Sequence, residues 1–468
     1  MSTFGQKAIE TWATVGTRFL PFADVATKDL PLSRLLRLSL FQVSVGMVLV
    51  LLVGTLNRVM IVELDVPASL VGIMISLPLA FAPFRALIGF RSDVHQSALG
   101  WRRVPFIWKG TMLQFGGLAI MPFALLVLSG SGNAANAPAW IGYAGAATSF
   151  LLVGAGVHMI QTVGLALATD LTPVESHPKV VGLMYVMLLL GMIVSALVFG
   201  AALADFSPGR LIRVIQGAAV ATVVLNVIAM WKQETRRPRG SAPPPAEPDF
   251  GQSWRHFISG EHAVRRLVAL GLGTMAFSMS DVLLEPYGGH ILNLSVADTT
   301  KLTATLAVGG LFGFGLASHV LSRGADPFRM ACLGALVGLP AFGAIILAAP
   351  LSSPWLFVIG TFLIGFGSGL FGHGTLTATM NQAPKEQAGL ALGAWGAVQA
   401  SAAGLAIALG GVIRDIITGL PMRDYFGAAT PYLLVYSLEL VLLSLTIIAM
   451  AQLIQHRVAV TPAEASPA

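Results

Sequence analysis

Two histidines and three carboxylates lie inside long apolar stretches, where an ionisable side chain is unfavourable unless it has a partner or a task. His158 and His373 can each offer a neutral imidazole nitrogen to a metal centre, or hydrogen-bond across helices, and each has a glycine one turn earlier, Gly154 and Gly369. Asp281 and Glu285 lie four residues apart, which on a helix puts both on one face. They can form a proton relay, or pair with an arginine such as Arg58 or Arg213. Glu439 has no evident partner in the sequence. A third group is confined to one short charged connection, GFRSDVHQSALGWRRVPFIWK, where Gly89, Asp93, Gly100, Arg102 and Arg103 can form a clasp. The carboxylate would cap free amides at a helix end and pair with guanidinium groups, while glycine lets backbones approach. Its arginines can equally be read as topology signals alone.

These groups must be positioned by membrane helices. The 468 residues are 55% hydrophobic and 11% charged, with a mean hydropathy of +0.78, against about 25% charged in soluble domains. The chain is therefore read as an integral membrane protein in contact with the lipid bilayer. Its net charge of +6 reflects orientation in the membrane rather than binding to nucleic acid. A single cysteine, Cys332, leaves no internal disulfide and no paired-cysteine metal or redox site, and no phosphate-binding loop suggests ATP-driven transport.

Apolar runs long enough for a hydrocarbon core of about 30 Å predict an all-α bundle of twelve helices in two halves. The first six fall near Leu36 to Met60, Pro67 to Phe90, Val104 to Leu128, Ala139 to Thr169, Val180 to Ala204 and Leu211 to Trp231. The second six fall near Ala263 to Leu284, Thr299 to Leu321, Pro327 to Leu347, Pro354 to Met380, Gln387 to Ile413 and Tyr432 to Leu453. Residues 1–35 read as an amphipathic surface segment, with Phe4, Ile9, Trp12, Val15 and Phe19 at helical spacing. The halves span 36–232 and 261–455, separated by a Pro-rich linker at 233–260 and followed by a tail at 456–468. With both termini cytoplasmic, 22 of the 28 Lys and Arg lie on the cytoplasmic side, the asymmetry that orients such proteins. Because the linker only spans a gap, deleting Ser241 to Pro248 is expected to be tolerated and to leave the protein level unchanged; immunoblotting of membranes checks this.

Two echoes relate the halves. Gly89, Ser92 and Asp93 recur as Gly315, Ser318 and His319, and Ala168 and Thr169 ahead of Gly182 recur as Ala378 and Thr379 ahead of Gly389. In such parallel repeats a ligand site is expected at the interface of the halves, near mid-membrane. His158 and His373 are not read as equivalent in depth, and His158 is the more central. Glycines four apart at Gly309 and Gly313, Gly334 and Gly338, Gly365 and Gly369, and Gly389 and Gly393 suit close helix contact within the bundle.

The loop resembles the major facilitator signature, with two departures: Gly100 follows Asp93 by seven residues instead of three, and Val94 stands where that pattern has a base. The phrases LPLSRLLRLSLFQVSVGM, LLVGTLNRVMIVEL, APFRALIGFRSD and SALGWRRVPFIW resemble the PucC and LhaA branch of the major facilitators, over about Thr17 to Gln455. The resemblance implies a major-facilitator-like bundle in the inner, intracytoplasmic photosynthetic membrane of a purple bacterium. It implies a non-enzymatic assembly factor for light-harvesting complexes, handing bacteriochlorophyll to antenna α and β polypeptides, with the reaction-centre core or pigment-synthesis enzymes as further partners. The core antenna is favoured as client over the peripheral antenna. If the pigment is bound directly, its magnesium would be ligated by His158 or His373, the protein itself holding no other metal, and Gly154 or Gly369 would leave room for the flat macrocycle. An imidazole hydrogen-bonded across helices remains the competing role, and a proton-coupled transporter of a small solute the competing function.

Overall fold

The computed structural model describes residues 31–80, 85, 88, 91, 92, 95, 97, 100–130, 136–172, 177–234, 258, 259, 262–382, 388–420 and 427–454. In lipid, backbone polar groups must be satisfied within the segment, and the apolar runs accordingly fold as helices; no strand occurs among the described residues. Among the described residues, eleven helices are long and apolar enough to cross a membrane, and a twelfth, at the second position, is described over Ala68–Ala80. In chain order they are α1 (Leu32–Glu63), α2 (Ala68–Ala80), α3 (Val104–Leu128), α4 (Ala139–Asp170), α5 (His177–Ala202) and α6 (Pro208–Met230). The second half comprises α7 (Ala263–His290), α8 (Val296–Ser322), α9 (Pro327–Ala348), α10 (Pro354–Gln382), α11 (Ala388–Thr418) and α12 (Thr430–Ala451). Arg85, Ile88, Arg91 and Ser92, beyond α2, are helical as well.

The helix ends differ from the hydropathy boundaries where a polar cap sets the start. Helix α8 begins three residues before Thr299 because Ser295 Oγ accepts the amide of Asp298 at 3.1 Å. Helix α6 begins at Pro208, where Ser207 Oγ accepts the amide of Arg210 at 3.3 Å. Asp326 caps α9 through the amide of Phe328, at 2.8 Å. Hydropathy records where apolar residues stop, and the capped first turn lies outside that run.

Two helices depart from regular winding, and they meet. Helix α1 widens into π-helix over Val50–Leu56 and Val59–Glu63, a form that often marks functional sites. Helix α7 is interrupted by a 3₁₀ turn at Met279–Val282 before it resumes over Leu284–His290. Asp281 therefore sits in the break and Glu285 beyond it, so the expectation that they share one face of a continuous helix is corrected. Asn57, between the two π segments, donates to the carbonyls of Asp281 at 3.3 Å and Val282 at 3.0 Å, satisfying groups that the break exposes.

Glycine contacts draw the helices together. A Cβ at Gly369 would stand 2.6 Å from Gly310 O, and those at Gly309, Gly313 and Gly365 would collide with the carbonyls of Phe362, Phe366 and Leu306. The α8–α10 seam is thus backbone against backbone, as expected for small residues at this spacing. Between the halves, α2 meets α11, where a Cβ at Gly72 would lie 2.9 Å from Ile407 O. Hydrogen bonds also cross between the halves at the end away from the linker: Thr55 to Thr300 at 3.3 Å, Arg58 Nη2 to Leu294 O at 3.2 Å, and the Ser69 amide to Asp415 Oδ2 at 2.7 Å.

Candidate functional site

His158 lies nineteen residues into α4 from Ala139 and His373 nineteen residues into α10 from Pro354, but they stand twelve and nine residues from the helix ends at Asp170 and Gln382. Neither imidazole hydrogen-bonds to a described residue, and the Nδ1 atom of each is buried without a partner. An unpaired buried nitrogen is unfavourable by about 1–3 kcal/mol, which sets both positions apart from the hydrogen-bonded polar groups around them.

Rings link them across the two halves. Arg85 of the second helix donates from Nε to Thr162 Oγ1 at 3.0 Å, and Thr162 Oγ1 donates to His158 O at 2.7 Å. The guanidinium lies within electrostatic reach of Tyr185 on α5. The Tyr185 ring stacks on Phe314 of α8, with centroids 6.3 Å apart, and Phe314 lies 4.2 Å from the His373 ring. His158, Arg85, Tyr185, Phe314 and His373 therefore form one wall running from α4 to α10.

The glycines do not leave room for a macrocycle. A Cβ at Gly154 would collide with the Pro78 ring, and at Gly369 with the backbone of Gly310 and Phe314. Each glycine seats the second helix of its half against the histidine-bearing helix. The sequence pattern of glycine one turn before histidine is real, but a neighbouring helix fills the space. Gly154→Leu is accordingly expected to lower the yield of folded protein rather than to leave a folded chain that binds pigment poorly; fluorescence-detected size exclusion of a tagged variant distinguishes these.

The clasp is a four-helix tie within the first half. Gly89 and Asp93 lie outside the described residues. Gly100 has φ of +80°, a left-handed conformation that glycine adopts without strain, and its amide donates to Ser97 O at 2.9 Å. The capping carboxylate is Glu234, just after α6: it accepts the amides of Arg102 at 2.8 Å, Arg103 at 3.0 Å and Val104 at 3.0 Å, at the start of α3. Arg103 donates from Nε to Asp170 Oδ2 at 3.0 Å and from Nη1 to Ser92 Oγ at 2.6 Å, and Arg102 also binds Asp170, the last residue of α4. Arg34 at the start of α1 donates to Gln233 Oε1 at 3.2 Å and Gln233 O at 2.8 Å. Sequence reasoning missed Glu234 and Asp170 because both lie more than sixty residues from the loop.

A polar cluster closes the opposite end. Arg58 pairs with Glu63, not with Asp281 or Glu285, and Arg213 is exposed on α6. Glu285 is buried and accepts from Thr303 Oγ1; a Cβ at Gly54 would stand 2.8 Å from that threonine oxygen, so glycine admits the pair. Glu439, fully buried on α12, lies against Ser280 in the α7 break. Tyr432 bridges His290 at 2.7 Å and Arg414 at 3.2 Å. Among the buried amides, Asn226 bonds between helices, with Ser44 at 2.8 Å and Thr111 at 3.0 Å, whereas the side-chain atoms of Gln42 and Gln114 are buried without described partners. Asn57→Ala is expected to destabilise the bundle by roughly 1–3 kcal/mol, since it leaves two buried carbonyls short of a donor; thermal unfolding in detergent measures it.

Residues 55–458 match the family model described as PUCC protein. A relative named Protein PucC in Rhodovulum sulfidophilum is 67% identical over 89% of this chain and 92% of its own length. Another of that name, in Cereibacter sphaeroides, is 61% identical over 95% and 97%. A Rhodobacter capsulatus protein described as uncharacterized, in the puhA–bchM intergenic region, is 50% identical over 93% and 92%. In fold, the chain is similar to a bacterial homologue of the iron transporter ferroportin in its inward-facing state, with TM-score 0.65 and 14% identity, covering 90% of this chain and 98% of that one.

Proposed function

The chain belongs to the PUCC protein family, and on that premise we propose that it is a non-enzymatic assembly factor for the bacterial light-harvesting antenna, delivering bacteriochlorophyll to antenna polypeptides. The observation that supports the pigment part is the pair of histidines on α4 and α10, each with a buried nitrogen lacking a described partner. As cargo, the pigment would supply a magnesium ion, and a neutral imidazole of His158 or His373 would hold it. The charge asymmetry supports a reading in which the linker end faces the cytoplasm of an inner membrane.

The competing reading, proton-coupled transport of a small solute, receives less support. Glu285 is committed to Thr303, whereas Glu439 abuts the α7 break with neither carboxylate oxygen bonded to a described residue, so the two acids do not form a connected relay. Purification from pigmented membranes in mild detergent tests the proposal. Antenna polypeptides and bacteriochlorophyll should accompany the chain. Recovery of folded protein with neither would contradict it.

A further inference from the structure

Two acids meet where α7 is broken. Glu439, near the middle of α12, is fully buried, and neither of its carboxylate oxygens is bonded to a described residue. It lies against Ser280 in the 3₁₀ turn and within electrostatic reach of Asp281, the next residue of that turn. Tyr436, one turn earlier on α12, brings a hydroxyl that is also buried without a described partner and within reach of Glu439. The helices that enclose this point, α1, α7, α9 and α12, are described throughout, and no Lys, Arg or His among the described residues pairs with either acid. Arg58 and Arg414, towards the end away from the linker, are committed to Glu63 and Asp415.

A carboxylate held out of water without a counter-charge is unfavourable, so each acid takes up either a proton or a cation. The donors present favour a cation. They are all oxygen, two carboxylates and the hydroxyls of Ser280 and Tyr436, a set that suits a hard ion. The helix is interrupted at the same place, and interrupted membrane helices offer ions backbone oxygen as well. Burial is graded along the site: Asp281 is partly exposed and Glu439 not at all, so Asp281 stands at the entrance and Glu439 at the floor. Among the described residues no three His, Cys, Asp or Glu side chains form a metal-holding group, which weighs against a divalent ion and leaves a monovalent one.

We propose that Glu439 and Asp281, with the hydroxyls of Ser280 and Tyr436, form a site for an alkali-metal cation at the break in α7. The ion supplies the counter-charge that the two acids lack and holds the break in its present form. Asn57 of α1 meets the same turn from the other half, at the carbonyls of Asp281 and Val282, so binding of the ion is coupled to the contact between the halves. The site is independent of the pigment-binding reading above.

The test uses the full-length protein in detergent, exchanged into choline chloride and titrated with sodium chloride at constant ionic strength. Binding of radiolabelled sodium and thermal unfolding are the readouts. Sodium should bind saturably and raise the unfolding temperature over the same concentration range, because an ion that binds only the folded state stabilises it. Glu439→Gln should weaken sodium binding by at least about tenfold. In choline alone that variant should be no less stable than the wild type, since it removes a charge that lacks a counter-charge; a purely structural glutamate would give the opposite result. Asp281→Asn should weaken binding in the same way and supplies the comparison if the glutamine variant does not fold. A wild type that binds no sodium and unfolds at one temperature in sodium and in choline would overturn the proposal and leave the acids neutralised by protons. Saturable sodium binding that survives both substitutions would place the ion elsewhere and overturn it as well, and stronger stabilisation by calcium than by sodium would overturn the monovalent assignment.

Discussion

Replacing Asp170 with alanine is expected to abolish most of the folded protein. Arg103 is only 4% exposed, and Asp170 is the carboxylate that its Nε meets at 3.0 Å. Removing one partner of a buried ion pair leaves an uncompensated charge, at about 3–5 kcal/mol. Because Asp170 is itself partly exposed, the lower part of that range applies here. Membrane proteins with stabilities near 5–15 kcal/mol have little margin for such a loss. The effect extends beyond one pair, since Arg102 loses the same acceptor and the tie between the ends of α2, α3 and α4 is released. Glu234→Ala should act in the same direction through the three amides at the start of α3. Membrane abundance and thermal stability in detergent check both. Wild-type stability in both variants would show that water and lipid headgroups replace these carboxylates.

The second large effect is expected at the α8–α10 seam. Gly309→Leu would drive a side chain into the carbonyl of Phe362, an atom of helix backbone that cannot rotate away. Overpacking of this kind commonly costs 1–3 kcal/mol, and more where the obstacle is rigid. Loss of the folded bundle is the expected outcome, read as aggregation on size exclusion. Gly343→Ala provides the contrast. A Cβ there meets nothing within 4 Å, and replacing glycine by alanine in a helix favours the helix by up to about 1 kcal/mol. That variant should be as stable as the wild type or slightly more so.

Much of the helix order was legible because hydropathy follows the requirement that a membrane span satisfy its own backbone. The expected start of α3 at Val104 and of α4 at Ala139 coincide with the observed ones. What hydropathy could not reveal were interruptions made by tertiary contacts, such as the 3₁₀ turn in α7, whose exposed carbonyls are met by Asn57 more than 200 residues earlier. The histidines and their glycines were visible as residues, but not the purpose of the glycines. Only the packing identifies Pro78 and Gly310 as what fills that space. Arg85 is a charge in an apolar run, and its hydrogen-bond partner Thr162 lies 77 residues away. Tyr185 and Phe314 carry no sequence signal, because aromatic residues in an apolar helix are ordinary.

The proposal that the chain binds pigment through His158 or His373 is tested most directly by the bacteriochlorophyll content and absorption spectrum of the protein purified from pigmented membranes, wild type against His158→Leu combined with His373→Leu. The wild type should retain pigment. The double variant, monodisperse on size exclusion, should lose most of it, and each single variant should retain an intermediate amount with a shifted band. An unchanged spectrum and unchanged pigment per chain in the folded double variant would contradict the account and assign ligation to a client polypeptide, a water or a backbone carbonyl.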